Sequence, residues 1–166
     1  MPYTDRFIDT DNIIAHISTF IGTITDGAIL SSYAGFLSVS SVTVYELAIK
    51  DIFSNFATLK GTAFGVFVDS HFDRINGRIK LKNLKEEHIS SFGIKYLNRF
   101  NRDLDAKEFA SLAAATGSVK SSYGNLIVCR HSFVHQGSPT LTINEIIQSY
   151  NRGKEVIHSL NAAMVR

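Results

Sequence analysis

The chain has 166 residues, of which 45% are hydrophobic and 19% are charged, and its formal net charge is +2. This length supports a core that needs no disulfide or metal, and we predict a single domain over residues 1–166. The composition excludes a disordered chain. The small net charge excludes a polycation, so any nucleic-acid binding requires a local patch or a dimer.

Cysteine usage and the lack of a leader pattern indicate a reducing compartment. Cys129 has no second cysteine to pair with and lies in an apolar run, which predicts a buried, inert thiol. The N-terminus lacks a basic-then-apolar signal pattern, and no apolar stretch is predicted to reach about eighteen residues. We therefore expect a cytoplasmic protein.

Apolar residues recur at helical spacing in the first third of the chain. Residues 5–24 have an isoleucine-rich stripe, and residues 31–59 have a longer apolar surface that ends at Gly61. On the polar side of the second segment, Glu46 and Lys50 lie four residues apart in the order that favours a helical ion pair. We interpret them as a surface pair; the alternative is that they support a functional cleft.

Three shorter helices are predicted in the middle of the chain. Residues 62–72 form the first, and we assign its Phe64 and Phe67 to the core rather than to an exposed platform for stacking bases. Residues 94–100 and 105–115 each have apolar residues at spacings of three or four, which predicts two separate helices.

A basic segment, defined here as residues 74–85, lies between these helices. Its Asn-Gly turn signal indicates a loop that leads into short helices. The cations that are candidates for contact with an RNA backbone are Arg78, Lys80 and Lys82, with Arg99 and Arg102 downstream. The alternative is a solvated surface whose charge is offset by Asp73, Glu86 and Glu87.

The last two helices have clear boundaries. Residues 121–136 precede Gly137 and Pro139, which are typical of a helix end. The final helix opens at Thr142 with Glu145 three residues later, a capping box that satisfies free backbone amides. Together these elements predict an all-α fold, an irregular helical bundle without internal repeats.

Residues suited to chemistry are concentrated at the end of the penultimate helix, in Arg130-His131-Ser132-Phe133-Val134-His135. Arginine binds phosphate oxygens, histidine transfers protons near neutral pH, and RNA has its own nucleophile in the 2′-hydroxyl. On an ideal helix Arg130 and His135 are about 140° apart, so one copy makes a poor site. Two copies related by a twofold axis bring the residues of both chains into one cleft.

This hexapeptide, in a small all-helical chain, resembles the Arg-x4-6-His signature of the HEPN superfamily, in which a polar residue such as His131 commonly follows the arginine. The length, the basic segment and the capped final helix are similar to the stand-alone domains of its RiboL-PSP/MAE-like group. The resemblance implies a HEPN-type bundle that dimerises through the motif-bearing helices. One subgroup has a modified tyrosine two positions beyond the histidine; here Gln136 and Gly137 follow His135, so that regulation is not expected.

The resemblance also implies a metal-independent endoribonuclease that acts as a toxin or as an antiviral-defence effector. In this chain His135 would be the general acid/base, Arg130 would hold the scissile phosphate, and His131 would orient a partner group or contact the substrate. The implied partners are an RNA substrate, a second copy of the chain, and an antitoxin or defence-system protein. We expect no cofactor and no membrane association.

Other interpretations of the motif remain open. Arg130 and His135 also fit a solvated helix end, where cations interact favourably with the helix dipole. His131 and His135 are half of a metal site, but no further ligands accompany them, so no metal is predicted. The alternative functions are a non-catalytic HEPN-like module for dimerisation or for binding a partner or nucleic acid, and a helical domain that binds a nucleotide without cleaving it.

Overall fold

The computed structural model describes residues 2–72 and 77–165, and within these ranges the chain is helical and contains no strand. The helices in chain order are α1 (Phe7–Phe20), α2 (Gly27–Lys60), α3 (Thr62–Phe72), α4 (Leu81–Asn83), α5 (Ile94–Ala113), α6 (Val119–Gln136) and α7 (Ile143–Val165). Short 3-10 and π-helical turns connect several of them. The predicted all-α fold is confirmed.

Helix α2 is the central element of the bundle. Asp26 caps its N-terminus by accepting hydrogen bonds from the backbone amides of Ala28 and Ile29, and Gly61 ends it as predicted. The helix contacts α1, α3, α6 and α7. It therefore determines where the motif-bearing helix α6 lies.

By length and composition alone, α2 is also apolar enough to cross a membrane. The expectation that no stretch of the chain has this character is therefore wrong. Buried residues of α2 such as Leu37, Ile49 and Phe53 belong to the common core of the bundle. The core helix of a bundle can have the same composition as a membrane span, and 39% of the apolar window of α2 is buried inside the bundle.

Three stacked tyrosines join α2, α6 and α7. The Tyr45 ring lies between those of Tyr123 and Tyr150, with centroid distances of 5.5 and 5.7 Å. The Tyr45 hydroxyl donates to the carbonyl of Tyr150, and the Tyr123 hydroxyl donates to the carbonyl of Ile79 at 2.6 Å. Because each buried hydroxyl has a backbone acceptor, this stack is compatible with a dry core.

Helix α5 is one continuous helix, and the prediction of two helices over this part of the chain is wrong. Phe100 and Leu104 are both fully buried, four residues apart, so the apolar stripe continues through the supposed break. The intervening residues 101–103 are polar, but none is glycine or proline. Polar residues without glycine or proline do not by themselves interrupt a helix whose apolar stripe continues.

The assignment of Phe64 and Phe67 to the core is also wrong. Phe64 is 38% exposed and Phe67 is 66% exposed, because α3 packs against α2 through a different set of residues. The buried residues of α3 are Gly65, Val68 and Phe72.

The remaining boundaries follow the predictions closely. The Thr142 amide and hydroxyl both donate to Glu145 Oε2 at 2.8 Å, which confirms the capping box at the start of α7. Of the basic segment, residues 74–76 lie outside the described residues. The short helices predicted to follow it are present, as α4 and the turns that continue to Phe92.

Candidate functional site

The motif-bearing helix α6 packs antiparallel to α2. Phe133 of α6 lies so close to Gly35 of α2 that a methyl group on Gly35 would be 2.0 Å from the Phe133 ring. Ten residues further along α2, Tyr45 stacks on Tyr123, which is ten residues earlier in α6. Interpolation between these contacts places Arg130 opposite the part of α2 around Ser38.

Arg130 is half-buried on the packed side of α6. Its Nε atom is buried and has no hydrogen-bond partner within the described ranges. Among residues 2–72 and 77–165, no carboxylate forms an ion pair with its guanidinium. A partly buried cation without an internal counter-ion is costly to the fold, and an incoming anion reduces that cost.

His131 and His135 lie on the exposed side of the same helix. Both residues are exposed, and their ring centroids are 4.4 Å apart with the planes tilted by 49°. They share a face because they are four residues apart on a helix. Arg130 and the two histidines thus point to different sides of α6, and one chain does not bring them together.

Ser132 fixes the end of α6. It is buried, and its hydroxyl is placed to donate to the Ser138 carbonyl at 2.8 Å or to Gln136 Oε1 at 3.1 Å. Gly137 follows in the left-handed conformation with φ 71° and ends the helix. No role of Ser132 was predicted from the sequence. The glycine that ends the helix nearby is the signal that could have indicated this role, because short polar side chains often bond to the backbone at helix ends.

Glu46 and Lys50 are both half-buried, and their interpretation as a helical pair stays a prediction. The Oε1 atom of Glu46 is buried and has no hydrogen-bond partner in the described part of the chain. Burial raises the pKa of Tyr123 well above its ordinary value, and the negative charge of Glu46 raises it further. Glu46 therefore lies at the same α2–α6 contact as Arg130, closer to the start of α6.

The three candidate RNA-binding cations of the basic segment lie near a different part of α6 from the motif. The Ile79 carbonyl between Arg78 and Lys80 accepts the hydrogen bond from Tyr123, which is twelve residues, or about 18 Å along the helix, from His135. Arg78 lies 3.9 Å from Glu87, and Lys82 lies 3.8 Å from Glu86, so acidic neighbours offset part of this charge. The structure does not bring Arg78, Lys80 and Lys82 next to the motif within one chain.

No group of three or more His, Cys, Asp or Glu residues comes together in the described ranges in a way that could hold a metal ion. Cys129 is fully buried, as predicted. Among the expected site residues, His131 and His135 form a direct ring contact.

Comparison with known proteins assigns the chain to a family. A family model described as RiboL-PSP-HEPN matches residues 5–165, a range that includes α6 and its Arg130–His135 hexapeptide. Searches among curated proteins and among solved structures gave no match. Since the family model covers nearly the whole chain, this protein belongs to the RiboL-PSP-HEPN family.

Proposed function

We propose that this protein is a metal-independent endoribonuclease of the HEPN type, with an active site formed by two protomers. The observation that carries the proposal is the pair of features on α6: a partly buried Arg130 that has no counter-ion among the described residues, and two exposed histidines in contact. Membership of a HEPN family supports the same conclusion. These groups are a phosphate ligand and proton-transfer groups, which RNA cleavage requires.

The reaction is attack of the ribose 2′-hydroxyl on the adjacent phosphorus. His135 of one protomer takes the proton of the 2′-hydroxyl, and His135 of the other protonates the departing 5′-oxygen. The P–O5′ bond breaks as the new P–O2′ bond forms, leaving a 2′,3′-cyclic phosphate and a 5′-hydroxyl end. Arg130 donates hydrogen bonds to the phosphate oxygens as their charge develops, and His131 orients its neighbour His135 or contacts the RNA.

A dimer is part of the proposal because a single chain separates Arg130 from His135. A twofold axis near α6 allows the arginine of one copy to approach the histidines of the other. Apolar side chains are exposed on both helices of this region, Phe36 on α2 and Val128 and Val134 on α6. Burying them supplies a driving force for association. Glu46 and Lys50 then line the cleft as supporting residues, and Arg78, Lys80 and Lys82 follow the RNA backbone beyond it.

In the cell, we propose that the enzyme is a toxin or an antiviral-defence effector, controlled by an antitoxin or a defence-system protein. A ribonuclease that recognises its substrate through a phosphate and a few bases damages cellular RNA unless it is held inactive. Growth arrest on expression of the unaltered chain, and normal growth with His135→Ala, are the expected observations. Normal growth with both chains contradicts this role.

The test of the ribonuclease proposal compares purified His135→Ala and Arg130→Ala with the unaltered protein on total RNA. Each change should lower the cleavage rate by about 10²–10⁴-fold, since each removes a group that acts in the transition state. Arg130→Lys keeps the positive charge but loses the paired hydrogen-bond donors of the planar guanidinium. It should therefore cut RNA faster than Arg130→Ala but more slowly than the unaltered protein. His16→Ala, at an exposed histidine of α1, is the matched control. Equal cleavage by the double variant and the unaltered protein rules out the proposal.

The alternative is a non-catalytic HEPN-like module for dimerisation or for binding a partner protein or nucleic acid. It is favoured by the separation of Arg130 and His135 on different sides of α6. In that case Arg130→Ala weakens dimerisation or partner binding, and neither the unaltered protein nor any variant turns over RNA. Analytical ultracentrifugation alongside the cleavage assay distinguishes the two functions.

A further inference from the structure

A groove of about 620 Å³ lies between the N-terminal part of α2 and the connection from α6 to α7, and we name it the α2–α7 groove. Its volume is within the range of small-molecule sites, about 300–1,000 Å³. Its rim includes Pro139, four residues beyond His135 and so at most about 14 Å away by chain length. It also includes Ala34, adjacent to the Gly35 against which Phe133 packs. The groove therefore lies near the end of α6 that has the motif.

The lining of the groove combines apolar walls with uncharged polar groups. Ile21, Leu30 and Leu141 are half-buried and supply apolar surface. Ser31, Thr140 and Asn144 add two hydroxyls and a side-chain amide, each able to donate and to accept hydrogen bonds. A flat, apolar ring with polar edges matches this combination.

Charge in the groove excludes a phosphate as its occupant. Among the described residues that line the groove, Glu145 is the one charged residue, and none is a lysine, arginine or histidine. The Glu145 carboxylate accepts hydrogen bonds from the amide and hydroxyl of Thr142, and these lower its pKa, so it remains negative. Sites that bind phosphate depend on cations and free donors, whereas this groove suits a neutral group.

We propose that the α2–α7 groove binds the nucleobase that flanks the scissile phosphate, and so sets the base preference of cleavage; this rests on the proposed ribonuclease function. The faces of the base pack on Leu30 and Leu141, and its edge forms hydrogen bonds with Ser31, Thr140 and Asn144. The phosphate remains outside, at Arg130 and His135. Recognition of an unstacked base on its polar edges is the usual way in which proteins read single-stranded RNA.

A substitution that fills the groove tests this assignment. Ser31→Phe places a ring in the groove, whereas Ser32→Phe, one position further along α2, faces a different depression lined by Ile29 and Phe36. Thr140→Trp, at an exposed loop position, is a second filling variant that remains informative if Ser31→Phe does not fold. Thermal unfolding identifies the variants that keep the fold.

The first measurement is nuclear magnetic resonance with adenosine, guanosine, cytidine and uridine, which have no phosphate. At least one nucleoside should shift the amide resonances of residues 140–144 in the unaltered protein and in Ser32→Phe. The filling variants should bind at least tenfold more weakly. If an apolar peptide shifts these resonances and no nucleoside does, the groove belongs to a protein partner and the assignment is overturned.

The second measurement maps cleavage ends on an RNA of mixed sequence. The filling variants should still cut RNA but lose the base preference at one position beside the cut, and Ser32→Phe should retain it. The groove assignment is overturned if the unaltered protein cuts RNA but binds no nucleoside, and the filling variants cut with the same base preference. Nucleoside binding without any RNA cleavage supports the groove as a base site and overturns the ribonuclease proposal instead.

Discussion

Among single residues, Gly35 determines how closely α2 and α6 approach each other near the motif. A Cβ atom at this position would lie 2.0, 2.1 and 2.4 Å from three atoms of the Phe133 ring, so the whole ring must move to accept one. Phe133 lies between Arg130 and His135 in the chain. Any shift of the ring therefore disturbs the part of α6 that has the candidate catalytic residues.

We predict that Gly35→Ala lowers the free energy of unfolding by about 1–3 kcal/mol, the usual cost of overpacking a core. Gly124→Ala is the matched control, because a Cβ there meets no atom within 4 Å and alanine favours a helix over glycine. It should leave the protein equally or more stable. Urea denaturation measures both, and an equal effect of the two substitutions would show that the α2–α6 contact is loose.

His88 is a buried histidine outside the candidate site, with 3% of its surface exposed. Its Nε2 lies 2.8 Å from the Arg78 carbonyl, an acceptor, so Nε2 has the proton of the neutral ring. Its Nδ1 is buried and has no partner in the part of the chain that the structure describes. Burial lowers the pKa of His88 below its ordinary value of 6.5. The hydrogen bond to the Arg78 carbonyl and the negative charge of Glu87 oppose this lowering of the pKa. The neighbouring His71 and the charge of Arg78 reinforce it.

A histidine whose pKa is lower in the folded state than in the unfolded state stabilises the fold when it is neutral. This stabilisation is complete above pH 6.5 and is lost as the pH falls through 6.5 towards the folded-state pKa, because the unfolded chain takes up the proton first. We predict that the urea concentration at the midpoint of unfolding decreases as the pH is lowered from 7.5 to 5. His88→Gln keeps a donor for the Arg78 carbonyl and should flatten this slope.

His88→Gln should not remove the pH dependence of the urea midpoint completely, because burial also lowers the pKa of the half-buried His158. His158 contributes with the same sign over the same pH range. An unchanged slope in His88→Gln would mean that the proton uptake occurs elsewhere.

At the scale of elements, a carboxylate from α5 caps α6. Glu108 Oε1 accepts from the Ser118 hydroxyl at 2.6 Å, and Glu108 Oε2 accepts from the Lys120 amide at 3.0 Å. Ser118 in turn accepts from the Ser121 amide. This network satisfies amides that would otherwise be free at the start of the motif-bearing helix.

We predict that Glu108→Ala lowers the free energy of unfolding by about 1 kcal/mol, the typical value of a lost helix cap. Glu108→Gln keeps an oxygen acceptor and should cost less. Glu155→Ala, on α7, removes a carboxylate that forms a partly exposed ion pair with Lys107 and serves as the control. Chemical denaturation of the three variants gives the comparison, and equal losses in all three would argue against a specific cap.

Local signals predicted most elements of this fold because they act within a few residues. Gly61, Gly137 and the Thr142–Glu145 box end or begin helices in the structure where the sequence indicated. The predictions that were wrong concern packing between residues that are distant in the chain. The exposure of Phe67 depends on which side of α3 meets α2, and the continuity of α5 depends on the burial of Phe100 and Leu104 by other helices.

In the candidate site, too, local spacing predicts some features, and contacts between distant residues determine the others. The separation of Arg130 from His135 around α6 follows from the helical repeat, and the contact between His131 and His135 follows from their spacing of four. The buried Oε1 of Glu46 was not predictable, since it requires knowledge of the residues on α6 that lie opposite α2. The position of the basic segment depends on the Tyr123 hydrogen bond, whose partners are 44 residues apart in the chain.

At the scale of the whole molecule, the proposed cleft depends on association of two copies. We predict that Val128→Lys and Val134→Lys, at exposed positions of α6, convert a dimer to a monomer and abolish RNA cleavage while leaving the fold intact. Lysine at a buried interface is unfavourable because its charge loses water. Phe109→Lys, at an exposed position of α5, is the control. Sedimentation velocity measures the mass, and full activity in a monomeric variant contradicts the shared site.

The anchoring of Ile79 by Tyr123 has a consequence for substrate length. The carbonyl between Arg78 and Lys80 is held about 18 Å along α6 from His135. A strand with stacked bases advances about 3.4 Å per nucleotide, so an RNA that touches both places must span roughly five or six nucleotides. A dinucleotide would occupy the cleavage centre alone, and its turnover would be insensitive to the charge at Arg78 and Lys80.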